Sequence, residues 1–247
     1  MDLLRADRST LSADQWNLLS NLSHCYDDHA GLSLGEHYMF GQNNLPPKFR
    51  FKSASILELF QVILDAAQPW YKNNRDFLSI STDDRSIILH GTLSHSASVS
   101  ASFILHKIQL LGHPAFYNAV QIIGPADLVT VASRLSQLLD FDMIIMKLFL
   151  AILSFSTFRY TVYPHTSSSN LSNIREILRI QDQYIELTWR YLLYKCDPEQ
   201  AVKCFSDFIR CVFIVNEGIV EVQRVRWFTD MIDTVTEKAK QSLSLND

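Results

Sequence analysis

Apolar residues recur at helical spacing over most of this chain. Ser12 stands three residues before Gln15 in a capping-box pattern, and four apolar residues follow at the spacing of one helix face. Between Ile56 and Ala67 the apolar positions are again three or four residues apart, which indicates a stripe along one side of a helix. Alternation of apolar and polar residues, the mark of strands, does not recur. The pattern therefore predicts an all-α chain.

Further helices are predicted where start signals meet this periodicity. Residue 82 or 83 is predicted to cap one helix. Asp197 and Pro198 are a strong start signal for another, since proline is tolerated in the first turn. The segment 142–155 is apolar nearly all round, which predicts a helix at the centre of the domain. Helices are also expected over 127–139, over 172–195 and from 198 to about 240.

Glycine and proline mark the predicted interruptions. Of the fourteen glycine and proline residues in the chain, five fall between Gly31 and Phe51. This cluster predicts a long loop with at most a short helix around 36–40. Pro69 is expected to kink the helix that carries the Ile56 stripe, because its ring clashes with the carbonyl four residues earlier. A short hairpin or a broken helix is expected over 112–125, and a second long loop over 154–173.

Composition narrows the class of protein. Of 247 residues, 47% are hydrophobic and few are glycine or proline, which excludes a disordered or low-complexity chain. A net charge of −4 without a basic run argues against DNA contact by this chain. The four cysteines form no CxxC pair, so we expect structural thiols in a reducing compartment. Charged residues interrupt the most apolar segment, so no membrane span is expected.

Candidate chemistry is sparse. The pairs Asp27-Asp28 and Asp83-Asp84 lack the DDxxD repeat that would hold magnesium on one helix face, and helix capping explains the second pair better. His24 and His29 are five residues apart, which does not match a helical zinc pair. Nucleophile-elbow, P-loop and dinucleotide-binding motifs do not occur. The sequence therefore predicts a protein that is not an enzyme and that holds no metal or other cofactor.

The segment from Trp70 to Leu89 resembles the signature of nuclear-receptor ligand-binding domains. The residues in register, without a gap, are Lys72, Phe77, Ile80, Asp84, Ile88 and Leu89, whereas Arg75, Arg85 and His90 depart from the usual pattern. The order of the predicted helices is also similar, and the resemblance covers most of residues 11–232. It implies a three-layer antiparallel sandwich of about ten helices over 11–241, preceded by a hinge remnant at 1–10 and followed by a frayed tail at 242–247.

The resemblance implies a surface that binds coactivator or corepressor helices of the LxxLL type. Lys72 matches the lysine that holds the carbonyl end of such a helix, where the helix dipole favours a cation. Considered alone, Lys72 is an exposed lysine near a helix end. The other residues implied at this surface are Arg85, Ile88, Leu89 and Asp230. The span 227–232 fits the terminal activation helix by residue type, but its position predicts the end of the penultimate helix, and the remaining tail then supplies no activation helix.

The resemblance also implies a ligand cavity. Its implied lining is Ile56, Leu59, Phe60, Ile63, Leu93, Ala97, Ala101 and Ile104. The same stripes are equally well explained as ordinary core. Ile104 stands where some receptors carry an arginine that anchors an acidic ligand, so the expected ligand is neutral and apolar.

A dimer face is implied on the last long helix. Phe205, Phe208, Val212 and Val215 lie along one of its sides, although packing against the chain's own core uses the same residues. These inferences predict a ligand-binding domain that regulates transcription as a homo- or heterodimer. The nucleus is its expected location, with the cytoplasm as the alternative. The family's zinc module for DNA binding is absent from the sequence. The alternatives are a ligand-free helical interaction scaffold and, third, an all-α enzyme that handles isoprenoids.

Overall fold

Helices account for nearly all of the structure, a computed structural model that describes residues 11–25, 28–124, 126–139, 142–157, 171–222 and 225–244. In these ranges no strand occurs, which confirms the predicted all-α fold of roughly ten helices. The α-helices are α1 (Ala13–Cys25), α2 (Asp28–Asn44), α3 (Ser53–Asp65), α4 (Gln68–Asn73), α5 (Arg75–Ser79), α6 (Thr82–Lys107), α7 (Pro114–Ile123), α8 (Ala126–Ser136), α9 (Met143–Ser154), α10 (Ile174–Lys195), α11 (Pro198–Val222) and α12 (Arg226–Ser244). Short 3-10 turns lie at Pro47–Phe49 and Leu110–Gly112.

Local capping chemistry sets several helix starts. The backbone N–H of Ser12 donates to Gln15 Oε1 at 3.0 Å, and the N–H of Gln15 donates back to Ser12 Oγ at 3.2 Å, which confirms the predicted capping box. Asp142 Oδ1 accepts a hydrogen bond from the N–H of Ile145 at the start of α9. Because these contacts join residues three apart in sequence, they can be recognised without knowledge of the fold.

The prediction of a loop between Gly31 and Phe51 is wrong for most of this segment. Helix α2 runs through Gly31, Gly35 and Gly41 and ends at Asn44, just before the two prolines. A Cβ atom added at Gly31 would lie 2.6 Å from Ile104 Cδ1, and one at Gly35 would lie 3.0 Å from Ile104 Cγ2. Two of these glycines therefore allow α2 to pack closely on α6 instead of breaking a helix.

Two other interruptions also differ from the prediction. Pro69 does not kink a continuous helix, because α3 ends at Asp65 and Pro69 lies in the first turn of the separate helix α4. A proline at that position costs no hydrogen bond, because the N–H groups of a helix's first turn have no partner within the helix. The segment 112–125 contains helix α7, also begun by a proline, and no hairpin. Of the predicted second loop, residues 158–170 lie outside the described part of the chain, as does the predicted hinge remnant at 1–10.

The C-terminal region contains two helices where the sequence predicts one. Helix α11 ends at Val222 and α12 begins at Arg226, so the span 227–232 starts a new helix and does not end the penultimate one. Helix α12 continues to Ser244, and Leu243 is buried, so the predicted frayed tail is in part an ordered last turn. The predicted placement of 227–232 at the end of the penultimate helix is therefore wrong.

Helices α6 and α9 occupy the interior. Helix α6 contacts α2, α3, α8, α9, α11 and α12. Every residue of α9 from Ile145 to Ser154 is buried, which confirms the predicted central helix. Even Lys147 is buried, and its Nζ donates to the Ser23 carbonyl of α1 at 3.4 Å. Among the described helices, none combines the length and apolar character needed to cross a bilayer.

A buried carboxylate ties α6 to α10. Asp84 accepts hydrogen bonds from the Ser172 N–H at 2.7 Å, the Ser172 hydroxyl at 2.6 Å and the Asn173 N–H at 3.2 Å. Burial disfavours the charged carboxylate, but the hydrogen bonds together outweigh burial and lower the pKa of Asp84. Asp84 therefore links two distant parts of the chain as an ionised group.

Candidate ligand cavity

An apolar cavity of about 110 Å³ lies where α3, α6, α7, α8, α11 and α12 meet. Its wall includes Phe60 and Leu64 of α3, Ala101, Ser102 and Leu105 of α6, Phe116, Tyr117 and Val120 of α7, Val129, Ala132 and Leu135 of α8, Val215, Gly218 and Ile219 of α11, and Trp227 and Phe228 of α12. Among the described residues, the polar side chains in the lining are Ser98, Ser102 and Tyr117, and none of the described lining residues is charged. A few hydroxyl groups in an apolar wall are typical of a pocket for a small lipophilic molecule.

Two aromatic residues of α12 close one side of the cavity. The Trp227 ring stacks on Phe60, with ring centroids 6.2 Å apart and planes 5° from parallel, and Phe228 meets Trp227 edge-on. The Trp227 indole N–H donates to the Ile123 carbonyl at the end of α7, at 2.7 Å. Because the indole's donor is satisfied there, its ring can form part of an apolar wall. The sequence predicts no cavity role for Trp227 or Phe228, because its pattern places both residues at the end of the penultimate helix.

The close packing of α8 against α11 shapes the opposite wall. A Cβ atom added at Gly218 would lie 2.9 Å from Val131 Cγ1, so glycine permits the approach of these two helices. Arg134 of α8 and Glu217 of α11 form a salt bridge at 2.9 Å on the outer side of the same contact. The sequence offered no sign of this wall, because Gly218 lies inside an otherwise regular helical pattern.

The cavity uses only part of the predicted lining. Phe60 and Ala101 border it. The other six predicted residues do not border it and are buried in the core, namely Ile56, Leu59, Ile63, Leu93, Ala97 and Ile104. Ile104 shows the reason, because α2 covers it at Gly31 and Gly35. The sequence identified two of the contributing helices, α3 and α6, but the side of each helix that borders the cavity depends on its neighbours.

The volume limits what fits. Dry apolar cavities of about 150 Å³ are known to hold benzene-sized molecules, so 110 Å³ admits a small ring or a short chain. Pockets for drug-sized ligands are typically about 300–1,000 Å³. A ligand of that size therefore exceeds the cavity in this conformation.

The predicted coregulator residues lie on α4, α6 and α12. Lys72 is half-buried in the last turn of α4, while Arg85, Ile88 and Leu89 are buried in the first turns of α6. Asp230 is exposed on α12, with its carboxylate 3.8 Å from Arg226 of the same helix. Burial of Ile88 and Leu89 means that neither is available to a partner helix in this conformation.

The C-terminal half of α12 covers the face formed by α3, α4 and the start of α6. Lys238 Nζ lies 3.4 Å from Asp65 Oδ2 at the end of α3. Further along, Lys240, Gln241 and Leu243 face Thr82, Asp83, Arg85 and Ser86 across a cleft of about 350 Å³. One helix therefore borders the cavity with its first turn and covers the Arg85 region with its last.

The four predicted dimer residues of α11 face the chain's own interior. Phe208 stacks on Phe149 of α9 with ring centroids 3.8 Å apart, and Phe205 meets Phe149 edge-on. Val215 is buried and borders the cavity, and Val212 is partly buried against the core. These contacts match the intrachain packing that the sequence left open as the alternative.

The described part of the chain brings together no group of three histidine, cysteine or acidic side chains that could hold a metal ion. The four cysteines are free, and burial raises the pKa of Cys25 to about 11 and that of Cys211 to about 12. Thiols with raised pKa values are poor nucleophiles at neutral pH. Comparison with known proteins adds no assignment, because no family model and no curated protein matches this chain.

Proposed function

We propose that this chain is a ligand-binding domain of the nuclear-receptor type, which acts in the nucleus to regulate transcription and binds a small, neutral, apolar molecule. The observation that carries the proposal is the cavity among α3, α6, α7, α8, α11 and α12, whose described lining residues carry hydroxyl groups but no charge. The signature-like segment Trp70–Leu89 supports the same class, since its Asp84 is a buried link between helices.

The lining favours a neutral ligand. Burying a carboxylate without a cationic partner costs far more free energy than burying an apolar group. Ile104, which by resemblance replaces a ligand-anchoring arginine, does not border the cavity and supplies no charge to it. Ser98, Ser102 and Tyr117 can instead offer hydrogen bonds to a single hydroxyl or carbonyl group. A lipophilic alcohol or ketone satisfies both requirements.

Helix α12 provides the means by which a ligand affects a protein partner. A ligand larger than the cavity displaces the Trp227–Phe228 turn, and the same rigid helix covers the Arg85 region with its other end. In the proposed function, an LxxLL-type coregulator helix binds the face near Lys72 when α12 moves. Ligand then changes coregulator affinity by shifting the population of α12 positions.

A ligand-free interaction scaffold is the second candidate, and the small cavity volume is the observation that favours it. In that case Trp227 and Phe228 stay in place and the cavity remains a packing defect. An isoprenoid-handling enzyme has less support, because such chemistry needs acidic groups that converge in the cavity, and the lining residues that the structure describes include no acid.

Ligand binding to the full chain tests the proposal. We would measure the shift in Tm, and the bound mass by native mass spectrometry, with farnesol, cholesterol and palmitate as probes. A ligand present at about 100 times its Kd stabilises the folded state by about 2.7 kcal/mol, so a clear rise in Tm is expected with at least one neutral probe. Consistent recovery of a fatty acid, or no binding by any neutral probe, would contradict the proposal.

A substitution that fills the cavity tests whether the ligand binds there. Ala132→Leu extends a side chain into the cavity and is expected to abolish the rise in Tm. The matched control is Ala115→Leu, which places the same side chain on an exposed position of α7. Binding that survives Ala132→Leu unchanged would place the ligand elsewhere and overturn the assignment of this cavity.

A further inference from the structure

The segment that joins α2 to α3 carries exposed apolar side chains. It comprises residues 45–52, which we call the α2–α3 turn. Leu45 and Phe49 of this turn are 38% and 51% exposed, and the two prolines between them are exposed as well. Phe40, near the end of α2, is 68% exposed. A group of neighbouring apolar side chains on the surface marks a place that meets something less polar than water.

The same turn is basic. Lys48, Arg50 and Lys52 lie within a span of five residues. In the sequence, no aspartate or glutamate occurs between Glu36 and Glu58, although the whole chain has a net charge of −4. The turn is therefore a positive segment in an acidic protein, and charge complementarity favours an anionic partner for it.

Arg50 holds the turn in one shape. Its Nε donates to the Leu45 carbonyl at 2.8 Å, and its Nη2 donates to the Asn43 carbonyl at 2.9 Å. Both acceptors are neutral, so the guanidinium keeps its full positive charge. The Lys48 Nζ lies 4.8 Å from the centre of the Phe49 ring, within the range of a cation–π contact. Cations and exposed apolar side chains are thus held beside one another.

Backbone N–H groups of the turn are paired within the chain. Those of Leu45, Phe49 and Arg50 donate to the carbonyl three residues earlier, at 3.1, 2.9 and 3.3 Å. The N–H of Phe51 donates to Gln42 Oε1 at 2.6 Å. The two prolines have no N–H at all. Because an unpaired N–H is costly to remove from water, pairing these donors lowers the cost of moving the turn into a less polar phase.

Phe51 anchors the turn on the body of the protein. Its side chain is buried, whereas residues 43–49 are all exposed. The Phe51 ring lies 4.4 Å from the His113 ring and 6.1 Å from the Phe116 ring, measured between centroids. The exposed part of the turn therefore projects from a fixed base.

We propose that the α2–α3 turn binds the surface of membranes that contain anionic phospholipids. Leu45 and Phe49 insert among the headgroups, while Lys48 and Lys52 contact the phosphates, the combination that interfacial binding requires. A stable protein interface buries about 800 Å² on each partner, which is more than the tip of one turn offers. The attachment is independent of ligand binding, since none of residues 45–52 is among the described residues that line the cavity.

Flotation of the full chain with lipid vesicles tests the proposal. Vesicles of phosphatidylcholine alone are compared with vesicles in which about one third of the lipid is phosphatidylserine. Each basic residue near an anionic surface raises the affinity roughly 5-fold. We therefore expect at least about 10-fold tighter binding to the phosphatidylserine vesicles, and a loss of binding as added salt screens the charges.

Substitutions of Phe49 test the apolar contact. Phe49→Ser is expected to weaken binding roughly 10-fold or more, because it removes the ring that enters the lipid. Phe213→Ser is the matched control, since Phe213 of α11 is 69% exposed and distant in sequence from the turn, and it should leave binding unchanged. In Phe49→Trp, brominated phosphatidylcholine should quench the added fluorescence. Absence of that quenching would place the ring outside the lipid and overturn the proposal.

A pair of charge reversals tests the electrostatic contact. Lys48→Glu with Lys52→Glu should abolish the preference for phosphatidylserine. Lys195→Glu with Lys203→Glu changes the net charge equally and should preserve it. All four lysines are exposed, so circular dichroism is expected to show unchanged helix content.

Two further outcomes would overturn the membrane assignment. If the control pair of charge reversals weakens binding as much as the pair in the turn, the attraction belongs to the charge of the whole chain. If the chain binds neither kind of vesicle, the turn is a surface for a protein partner and not for a membrane.

Discussion

The two apolar clusters of this protein are packed differently. The larger cluster, which we call the α9 core, surrounds α9 and is filled by stacked rings such as Phe149 on Phe208, 3.8 Å apart. The smaller cluster, the cavity region, lies between α3, α6, α7 and α8 and borders a space of about 110 Å³, whose opposite wall comes from the larger cluster. Both clusters consist of buried apolar side chains. Burial of apolar side chains therefore stabilises both regions, whereas the closeness of packing between the helices determines which region leaves space for a ligand.

The largest expected effect contrasts one phenylalanine in each region. Phe149→Ala should lower the free energy of unfolding by about 3–5 kcal/mol, because it leaves a hole in a filled core. Phe116→Ala, in the cavity wall, should cost less, nearer about 3 kcal/mol, because part of its surface already faces empty space. Urea unfolding measures both. Equal losses would mean that the two regions are packed alike.

Asp84 tests how much a set of polar contacts outside the cavity region contributes to stability. Asp84→Asn should cost about 1–3 kcal/mol at neutral pH, since it weakens a buried set of charge-assisted hydrogen bonds. The folded-state pKa of Asp84 is lowered, so its contribution is present above the unfolded pKa of about 3.9 and is lost as pH falls through the folded value. The stability difference between wild type and variant should therefore shrink below about pH 4.

The exposed Asn17→Ala in α1, which changes no titratable group, is the control for that pH series and should show no such dependence. If the difference between wild type and Asp84→Asn stayed constant down to pH 2, on the order of two pH units below the ordinary pKa of aspartate, the Asp84 carboxylate would not be the group responsible.

Trp227 tests how firmly the cavity region is closed. Trp227→Phe keeps a ring near Phe60 but removes the hydrogen bond to the Ile123 carbonyl, at a cost of about 1 kcal/mol. Amide hydrogen exchange in the first turn of α12 should become faster, whereas exchange in α9 should not change. Faster exchange throughout the chain would show that this turn is not a separate unit.

The smallest effect is expected at the surface between α8 and α11. Arg134→Ala removes a salt bridge to Glu217 whose two side chains are both about half exposed, and such pairs contribute about 0–1 kcal/mol. The change in the free energy of unfolding should fall further as salt screens the pair. A loss greater than about 2 kcal/mol would mean that this contact holds the cavity wall in place.

Some of the fold and part of the site were predictable from local patterns. The capping box at Ser12 and the wholly apolar stretch of α9 depend on residues close in sequence, and both predictions are confirmed. Glycine misled the prediction at Gly31 and Gly35, where the helix continues and the missing side chains make room for Ile104. A glycine that breaks a helix and one that admits a neighbour look the same in sequence, because the neighbour is distant along the chain.

The sequence by itself determined that the chain is helical, that α9 is central and that α3 and α6 contribute to the buried face. Only the tertiary structure decided that Phe60, and not Ile56, borders the cavity, that Trp227 and Phe228 close it, and that the α2–α3 turn leaves Phe49 exposed to solvent. The spacing of residues along the sequence determines the face of a helix on which each of them lies. The neighbour that covers that face is set by packing among helices far apart in the chain.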